Sequence, residues 1–261
     1  MIEEKHASSP DHEPASEPQQ IRVQMPSLPT LITYGLIGIT VFFYVMQMLS
    51  TAIWGYAIYQ MDWLEYFGAR INSAIRAGDY WRFITPVFLH GSLAHIFFNM
   101  YALFSIGSLL ERHLGYTRFF ALYFLSAFSG NVFSFLFTGE NGYSVGASTA
   151  VFGLIGAELV FFYQNRKLFG SYARQAISNI VFIIGINLFI GLAPNIDNWG
   201  HVGGLLGGAM FAWFASPLWA VSGIAPDLKL ADQREPREIF TGTSFVLLIF
   251  GGLAIWGLFF R

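Results

Sequence analysis

Residues 28–49 read LPTLITYGLIGITVFFYVMQML, a run of 22 residues without one charged side chain. An α-helix of this length and composition can cross a hydrocarbon layer about 30 Å thick. Six further apolar runs give seven candidate spans: Leu28–Leu49, Leu93–Glu111, Thr117–Phe137, Ser148–Gln164, Ala176–Leu192, Gly200–Leu218 and Ile239–Phe260. The runs lack the alternation of barrel strands, so the sequence predicts an all-α membrane protein, a polytopic helical bundle.

The composition of the whole chain also favours lipid surroundings. Of its 261 residues, 54% are hydrophobic and 11% are charged, whereas soluble domains carry about 25% charged residues. The net charge of −2 gives no indication of a nucleic-acid partner. The chain has no cysteine, which excludes thiol catalysis, disulfides and cysteine-ligated metals. We therefore expect membrane lipids around the protein and neither a cofactor nor a metal.

The chain divides into four segments by hydropathy. Residues 1–27 are acidic and lack the apolar core of a signal peptide, so we expect a disordered cytoplasmic tail. Residues 28–219 hold six spans, 220–238 form a cytoplasmic linker, and 239–261 form an additional transmembrane helix. With the N-terminus inside, only four of the 14 basic residues fall outside: Arg70, Arg76, Arg82 and Arg261. This imbalance predicts a cytoplasmic N-terminus and an outer C-terminus.

Polar residues gather at one end of three predicted spans. In this orientation the second, fourth and sixth spans all begin on the outer side, and their first turns carry His95 and Asn99, Ser148, and His201. Ionisable groups inside a membrane are costly and by default indicate a functional site. The sequence therefore places its candidate site at the outer ends of these helices.

Ser148 lies in the stretch Gly146-Ala147-Ser148-Thr149, directly before an apolar run. Gly146 permits a turn that other residues resist, and the free N–H groups at the start of a helix favour a nearby negative charge. A nucleophile for acyl transfer needs those electrostatics. A serine in this place is equally typical of an ordinary helix N-cap, and the tetrapeptide alone leaves both interpretations open.

His201 precedes a series of glycines. Gly204 and Gly208 form one small-residue face of its helix, and Gly203 and Gly207 form another. Such faces let a neighbouring helix approach closely. If that neighbour is the fourth span, His201 reaches Ser148 and can accept its hydroxyl proton. The alternative is a histidine anchored at the membrane interface.

Three further residues complete the candidate site. His95 and Asn99 are four residues apart, hence on one helix face, and both can donate hydrogen bonds to an oxyanion. They could also bind a metal, but no third ligand stands at a useful spacing. Asp197, four residues before His201, could orient the imidazole as a third catalytic member. A solvated loop carboxylate is the interpretation that we favour for Asp197.

Together these motifs resemble the rhomboid family of intramembrane serine proteases. The resemblance runs from Asp79 to Gly208 and rests on five motifs: Tyr80-Trp81-Arg82, His90-Gly91-Ser92-Leu93-Ala94-His95 continuing to Asn99, Glu111-Arg112-His113-Leu114-Gly115, Gly146-Ala147-Ser148, and Gly200-His201 with its glycines. One departure is Thr149, because the family usually has glycine after its serine. That β-branched residue constrains the turn and leaves the Ser–His pair intact.

The resemblance implies a rhomboid-like six-helix core plus a seventh C-terminal helix. It implies a dyad of Ser148 and His201, with His95, Asn99 and the Ser148 backbone N–H stabilising the oxyanion. It also implies transmembrane protein substrates, cut near the outer membrane boundary, and we expect the plasma membrane of a bacterium as the location. The alternative is a non-catalytic rhomboid-like adaptor that binds transmembrane clients, although such members typically lack the serine or the histidine. Oligomeric state stays open.

Overall fold

The computed structural model describes residues 25–58, 60–224 and 227–260, so the predicted disorder of residues 1–24 lies outside the described part. Seven long helices form the protein: α1 (Leu31–Trp54), α2 (Leu93–Leu114), α3 (Tyr116–Phe137), α4 (Ser148–Gln164), α5 (Ser171–Ile190), α6 (Asn198–Ala215) and α7 (Pro236–Phe260). Each predicted span lies largely within one of them, and the predicted helical bundle is confirmed. The largest differences are the C-terminal extension of α1 and the earlier start of α5, each by five residues.

The helices differ in whether their length and composition suit them to cross a membrane. Helices α1, α2, α3, α5 and α7 are long and apolar enough to cross a membrane. Helix α4 is shorter, at 17 residues, and α6 is diluted by polar residues and glycines. Both are largely enclosed by neighbouring helices, so their surfaces need not be as apolar as the surface of a helix that faces lipid. The chain is an integral, multi-pass membrane protein.

Helix α1 shows the inverted polarity expected of a helix in lipid. Its buried residues include Thr33, Thr40 and Gln47, whereas Phe42 and Met48 are largely exposed. In water this arrangement would be unfavourable, because apolar side chains would face the solvent. In a bilayer the apolar side chains meet acyl chains, and the Gln47 amide makes hydrogen bonds inside the protein.

Helix α3 is the centre of the bundle, with 72% of its apolar window buried, compared with 11% for the peripheral α5. Helix α6 packs between α3 and α4 through its two glycine faces. A Cβ atom on Gly204 would lie 2.0 Å from the Thr149 carbonyl oxygen in α4. One on Gly203 would lie 2.7 Å from the Ser129 carbonyl oxygen in α3. The close approach of a neighbouring helix, predicted from the glycine spacing, is therefore present, and α4 and α3 are the neighbours.

The long connection between α1 and α2, called the first loop here, is folded. It contains short helices at Trp63–Gly68 and Asn72–Arg76, 3-10 turns at Tyr80–Phe83 and Thr85–Phe88, and strand β1 (Arg70–Ile71), which pairs antiparallel with β2 (Tyr143–Ser144). Arg82 organises this loop by donating to the carbonyl oxygens of Ala69 and Tyr66, each at 2.8 Å. The first loop thus joins the segment that leads into α4.

The opposite end of the bundle is closed by polar contacts. The buried Glu111 carboxylate accepts hydrogen bonds from the N–H groups of Ile32 and Thr33, at 2.6 and 2.7 Å, and so caps α1. The predicted linker 220–238 contains most of a hairpin of β3 (Trp219–Ser222) and β4 (Lys229–Asp232). An ion pair of 2.7 Å between Arg118 and Asp232 fixes this hairpin to α3.

Helix α7 is fastened near its C-terminal end. Arg76 of the first loop donates through Nη1 to the Gly257 carbonyl oxygen at 2.8 Å. The same guanidinium lies over the Phe135 ring, 4.9 Å from its centroid, and a Cβ on Gly257 would press against that ring at 2.9 Å. The first loop and the end of α7 therefore lie on the same side of the bundle.

Candidate active site

Ser148 is the first residue of α4 and does not act as its N-cap. The capping position belongs to Ala147, which makes no side-chain cap, and Gly146 before it has a φ of +124°, a value suited to glycine. The Ser148 hydroxyl oxygen instead lies 3.0 Å from Nε2 of His201. The serine therefore opens the helix with its hydroxyl directed at an imidazole.

The His201 ring is held in a fixed plane. It stacks on Phe152 with the ring centroids 4.1 Å apart and the planes 8° from parallel. Phe152 lies four residues after Ser148 in α4, so both side chains project from the same helix face. Nδ1 of His201 is buried and has no hydrogen-bond partner among the described residues. The geometry is that of a pair rather than a triad.

Asp197 is neither a third catalytic member nor a solvated loop carboxylate, the two interpretations that the sequence offered. Its side chain is only 12% exposed, so it is not a solvated loop carboxylate, and it does not bind the unpartnered Nδ1 of His201. Its Oδ1 accepts from the Gly200 N–H at 3.0 Å and caps α6, and its Oδ2 accepts from the Ser134 hydroxyl at 2.5 Å. The reason is local, since the free N–H groups of a helix start need an acceptor.

His95 and Asn99 stand opposite Ser148. A Cβ atom on Gly146 would lie 2.6 Å from Nε2 of His95, so glycine at this position is required by space as well as by φ. The Asn99 amide donates to the His95 carbonyl oxygen at 3.0 Å within α2. Both side chains line the same cavity as Ser148 and His201.

That cavity has a volume of about 1010 Å³. Its walls come from α2, α4, α6, the first loop and the connection before α6, which contributes Pro194, Asn195 and Ile196. The connection therefore forms one wall of the cavity. Packing requires glycine at position 191, directly after α5, since a Cβ there would lie 2.3 Å from Oδ1 of Asn198.

The family assignment follows from a match of residues 77–218 to the model of the Rhomboid domain. The chain belongs to the rhomboid family. Among the relatives, this rhomboid is 46% identical over 143 residues to Rhomboid protease GluP of Bacillus subtilis, covering 54% of the chain and 27% of that protein. It is 34% identical over 198 residues to RHOMBOID-like protein 1 of Arabidopsis thaliana, covering 72% of the chain and 50% of that protein.

A third relative is Rhomboid-like protease 1 of Toxoplasma gondii, 36% identical over 148 residues, which are 56% of this chain and 50% of that protein. The aligned part of the rhomboid chain thus spans between 27% and 50% of the length of these three relatives. Two of the three carry the word protease in their names.

Two residues of the rhomboid site were given no role by the sequence interpretation. Phe152 was detectable, because a helix places residue i+4 on the face of residue i. His90 lies in a quoted motif, and its Nε2 accepts from the Ala147 N–H at 3.3 Å, directly before Ser148. Burial and the nearby His95 lower the pKa of His90 to about 3. Its ring is therefore neutral and able to accept that hydrogen bond.

Thr149, the departure from the rhomboid pattern, is accommodated by glycines on two neighbouring helices. A Cβ on Gly130 of α3 would lie 2.6 Å from the Thr149 Cβ, and one on Gly200 would lie 3.0 Å from its methyl carbon. The threonine side chain thus fills the space that these glycines leave. The turn that carries Ser148 keeps its helical geometry.

Proposed function

We propose that this rhomboid is an intramembrane serine endopeptidase with Ser148 as nucleophile and His201 as general base. The observation that carries the proposal is the 3.0 Å contact between the Ser148 hydroxyl and Nε2 of His201 inside a cavity. His201 takes the hydroxyl proton as Ser148 Oγ attacks the scissile carbonyl carbon. The same imidazole then gives the proton to the leaving amine.

The negative charge of the tetrahedral intermediate needs donors that are already in place. The Ser148 backbone N–H belongs to the first turn of α4 and has no acceptor within its own helix. The His95 ring and the Asn99 amide face the same cavity from α2. We assign the stabilisation of the oxyanion to these three groups.

Hydrolysis of the acyl-enzyme requires water at Ser148. A helix of 17 residues is roughly 25 Å long at about 1.5 Å per residue, short of a hydrocarbon core of about 30 Å. Ser148 therefore lies below the outer boundary, and the cavity is the route by which water reaches it. His201 activates that water after the first product leaves.

The proposed substrates are single-span membrane proteins, cut near the outer membrane boundary. A site below the boundary suits a peptide bond that enters from the bilayer rather than from bulk water. We place the N-terminus in the cytoplasm and the C-terminus outside, on the distribution of basic residues. In a bacterium this arrangement corresponds to the plasma membrane with the site facing outward.

The test combines a serine-reactive fluorophosphonate with a single-span reporter substrate in purified, reconstituted protein. Ser148→Ala should abolish labelling and cleavage, and His201→Ala should sharply reduce both. Ser73→Ala, at an exposed serine of the first loop, is the control and should behave as the wild type. Equal labelling of Ser148→Ala and the wild type would remove Ser148 as nucleophile. Reporter binding by wild-type protein without cleavage would favour the adaptor function.

A further inference from the structure

Arg70 is a fully buried arginine at the edge of the active-site cavity. It lies on β1 in the first loop, and its side chain is 0% exposed. Arginine is almost never fully buried unless its charge is paired. The groups that bind this guanidinium therefore show which segments of the chain it connects.

The guanidinium joins three separate parts of the chain. Nε donates to the Ser144 hydroxyl at 3.0 Å, Nη1 donates to the Thr138 hydroxyl at 3.1 Å, and Nη2 lies 3.7 Å from Oδ2 of Asp197. Ser144 stands four residues before Ser148, and Asp197 stands four residues before His201. One side chain thus bridges the segments that enter the two helices of the dyad.

Asp197 is held from several directions. Besides facing Arg70, it caps α6 through the Gly200 N–H and accepts from the Ser134 hydroxyl of α3. Its carboxylate is therefore a fixed point that joins the first turn of α6 to α3 and to the first loop. The position of His201, in that same first turn, depends on this point.

We propose that Arg70 and Asp197 are positioning residues, whose ion pair holds the entrances of α4 and α6 together and so keeps Ser148 and His201 at reacting distance. The proposal rests on the proposed protease function. Neither side chain binds the side chain of Ser148 or His201. Both act through the backbone segments that they anchor, and the His201 N–H donates to the Asp197 carbonyl oxygen at 3.2 Å.

Electrostatics makes the two residues depend on each other. Burial lowers the pKa of Arg70, and the charge of Asp197 opposes that decrease. Removal of the carboxylate leaves a buried guanidinium without its counter-ion, a larger perturbation than the loss of both charges. Arg70 and Asp197 are therefore expected to be energetically coupled.

The first experiment is a double-mutant cycle of Arg70→Gln, Asp197→Asn and their combination. Asparagine can still cap α6, so Asp197→Asn removes the charge and keeps the cap. Each single variant should lower kcat for the reporter by about ten- to a hundred-fold, since displaced catalytic groups lose rates of this order. KM should stay unchanged, and the double variant should be no slower than the slower single variant.

The matched control is Arg76→Gln. Arg76 lies in the same loop, but its guanidinium binds α7 rather than either helix entrance. This variant should lose thermal stability without a change in kcat. Equal loss of kcat in Arg76→Gln and Arg70→Gln would show that any damage to the first loop suffices, and would overturn the positioning role.

The second experiment does not depend on catalysis. The chain has no cysteine, so nitroxide labels can be attached at Glu140→Cys and Ala193→Cys, two exposed sites on the segments that flank the ion pair of Arg70 and Asp197. The distance distribution between the labels should be narrow in the otherwise unaltered protein and in Arg76→Gln, and broad in Arg70→Gln and Asp197→Asn. An unchanged distribution in those two variants would overturn the proposal, even if the wild type proved to lack protease activity.

Discussion

At the scale of single residues, the candidate site depends on the flat ring of Phe152 as well as on its reactive atoms. Among the described residues, the His201 ring has one hydrogen-bonded contact, to Ser148, and one flat contact, to Phe152. Without a partner for Nδ1 among the described residues, the stacked ring is what restricts rotation of the imidazole. Phe152 thus does for ring orientation what a carboxylate does in a triad.

This role of Phe152 leads to a prediction. Phe152→Leu removes the flat surface under the imidazole, while Phe152→Tyr retains it. Aromatic pairs contribute about 0.5–1.5 kcal/mol beyond their buried area, so Phe152→Leu should lower kcat by up to roughly ten-fold. The measurement is reporter cleavage beside fluorophosphonate labelling, with both rates falling together. A Leu variant as fast as the Tyr variant would contradict it.

A second residue-scale prediction concerns Asn99. If its amide stabilises the oxyanion, Asn99→Ala should lower turnover far more than substrate binding. Loss of one such donor removes about 2.7–4 kcal/mol of transition-state stabilisation. Steady-state kinetics and a thermal unfolding curve separate the two roles. A folded variant of normal stability and normal turnover would reduce Asn99 to a helix-packing residue.

The residues that the sequence could predict are those whose evidence is local. Ser148 stands two residues after Gly146 at a helix start, and His201 precedes a glycine series, so a few neighbours in the chain made both of them candidates. Asp197 could not, because its contacts reach Ser134 and Arg70, distant in the chain. Arg70 appeared only as an outer basic residue, since no local pattern indicates that a loop arginine will be buried.

At the scale of elements, the contact between α4 and α6 leaves no room for a side chain on Gly204. The nearest atom to a Cβ there is a backbone carbonyl oxygen at 2.0 Å, which cannot rotate away. Overpacking of a tight core typically costs about 1–3 kcal/mol, so Gly204→Ala should lower stability by about 3 kcal/mol. Gly252→Ala on α7, where a Cβ meets nothing within 4 Å, is the control. Equal unfolding midpoints of the two variants would refute this prediction.

The short helix Trp63–Gly68 of the first loop carries a carboxyl group that responds to pH. Burial, and next the neighbouring Asp62, raise the pKa of Glu65 from 4.5 to about 7. The folded state therefore holds this proton more tightly than the unfolded chain. The resulting stability is fully present below pH 4.5 and is lost as the pH rises through about 7.

Glu65→Gln should accordingly stabilise the protein above pH 7 and have no stabilising effect below pH 4.5. Each pKa unit corresponds to about 1.4 kcal/mol, which limits the gain to about 3 kcal/mol. Thermal unfolding across this pH range measures it. Asp79→Asn, at a more exposed carboxylate of the same loop, is the comparison variant. A gain that is constant with pH would show that Glu65 is not the titrating group.

Secondary-structure elements could be predicted from the sequence where hydropathy alone determines their position. The seven long helices appear near their predicted positions because an apolar run of span length has few alternatives in lipid. The pairing of β1 with β2 and the hairpin of β3 and β4 were not predicted, because two- and four-residue strands leave no periodic pattern. The interior of the first loop was likewise hidden, since its order comes from Arg82 binding distant carbonyl groups.

At the scale of the whole molecule, the orientation across the membrane can be tested directly. Because the chain has no cysteine, Lys5→Cys and Arg261→Cys each supply a single site for an impermeant maleimide. In intact cells the probe should react at position 261 and not at position 5. Reaction at both positions after permeabilisation is the control. The reverse pattern in intact cells would invert the topology and the side of cleavage.

The contact between Arg76 and Gly257 has a consequence for the biosynthesis of the protein. The two residues are 181 positions apart, so at about 5–20 residues per second the ribosome reaches Gly257 roughly 10–40 s after Arg76. Throughout that interval the guanidinium lacks its acceptor, and the surfaces of α3 and α6 that α7 covers remain open. The packing of these surfaces thus waits for α7 to insert. A nascent chain stalled before α7 would leave this flank of the bundle open to the bilayer.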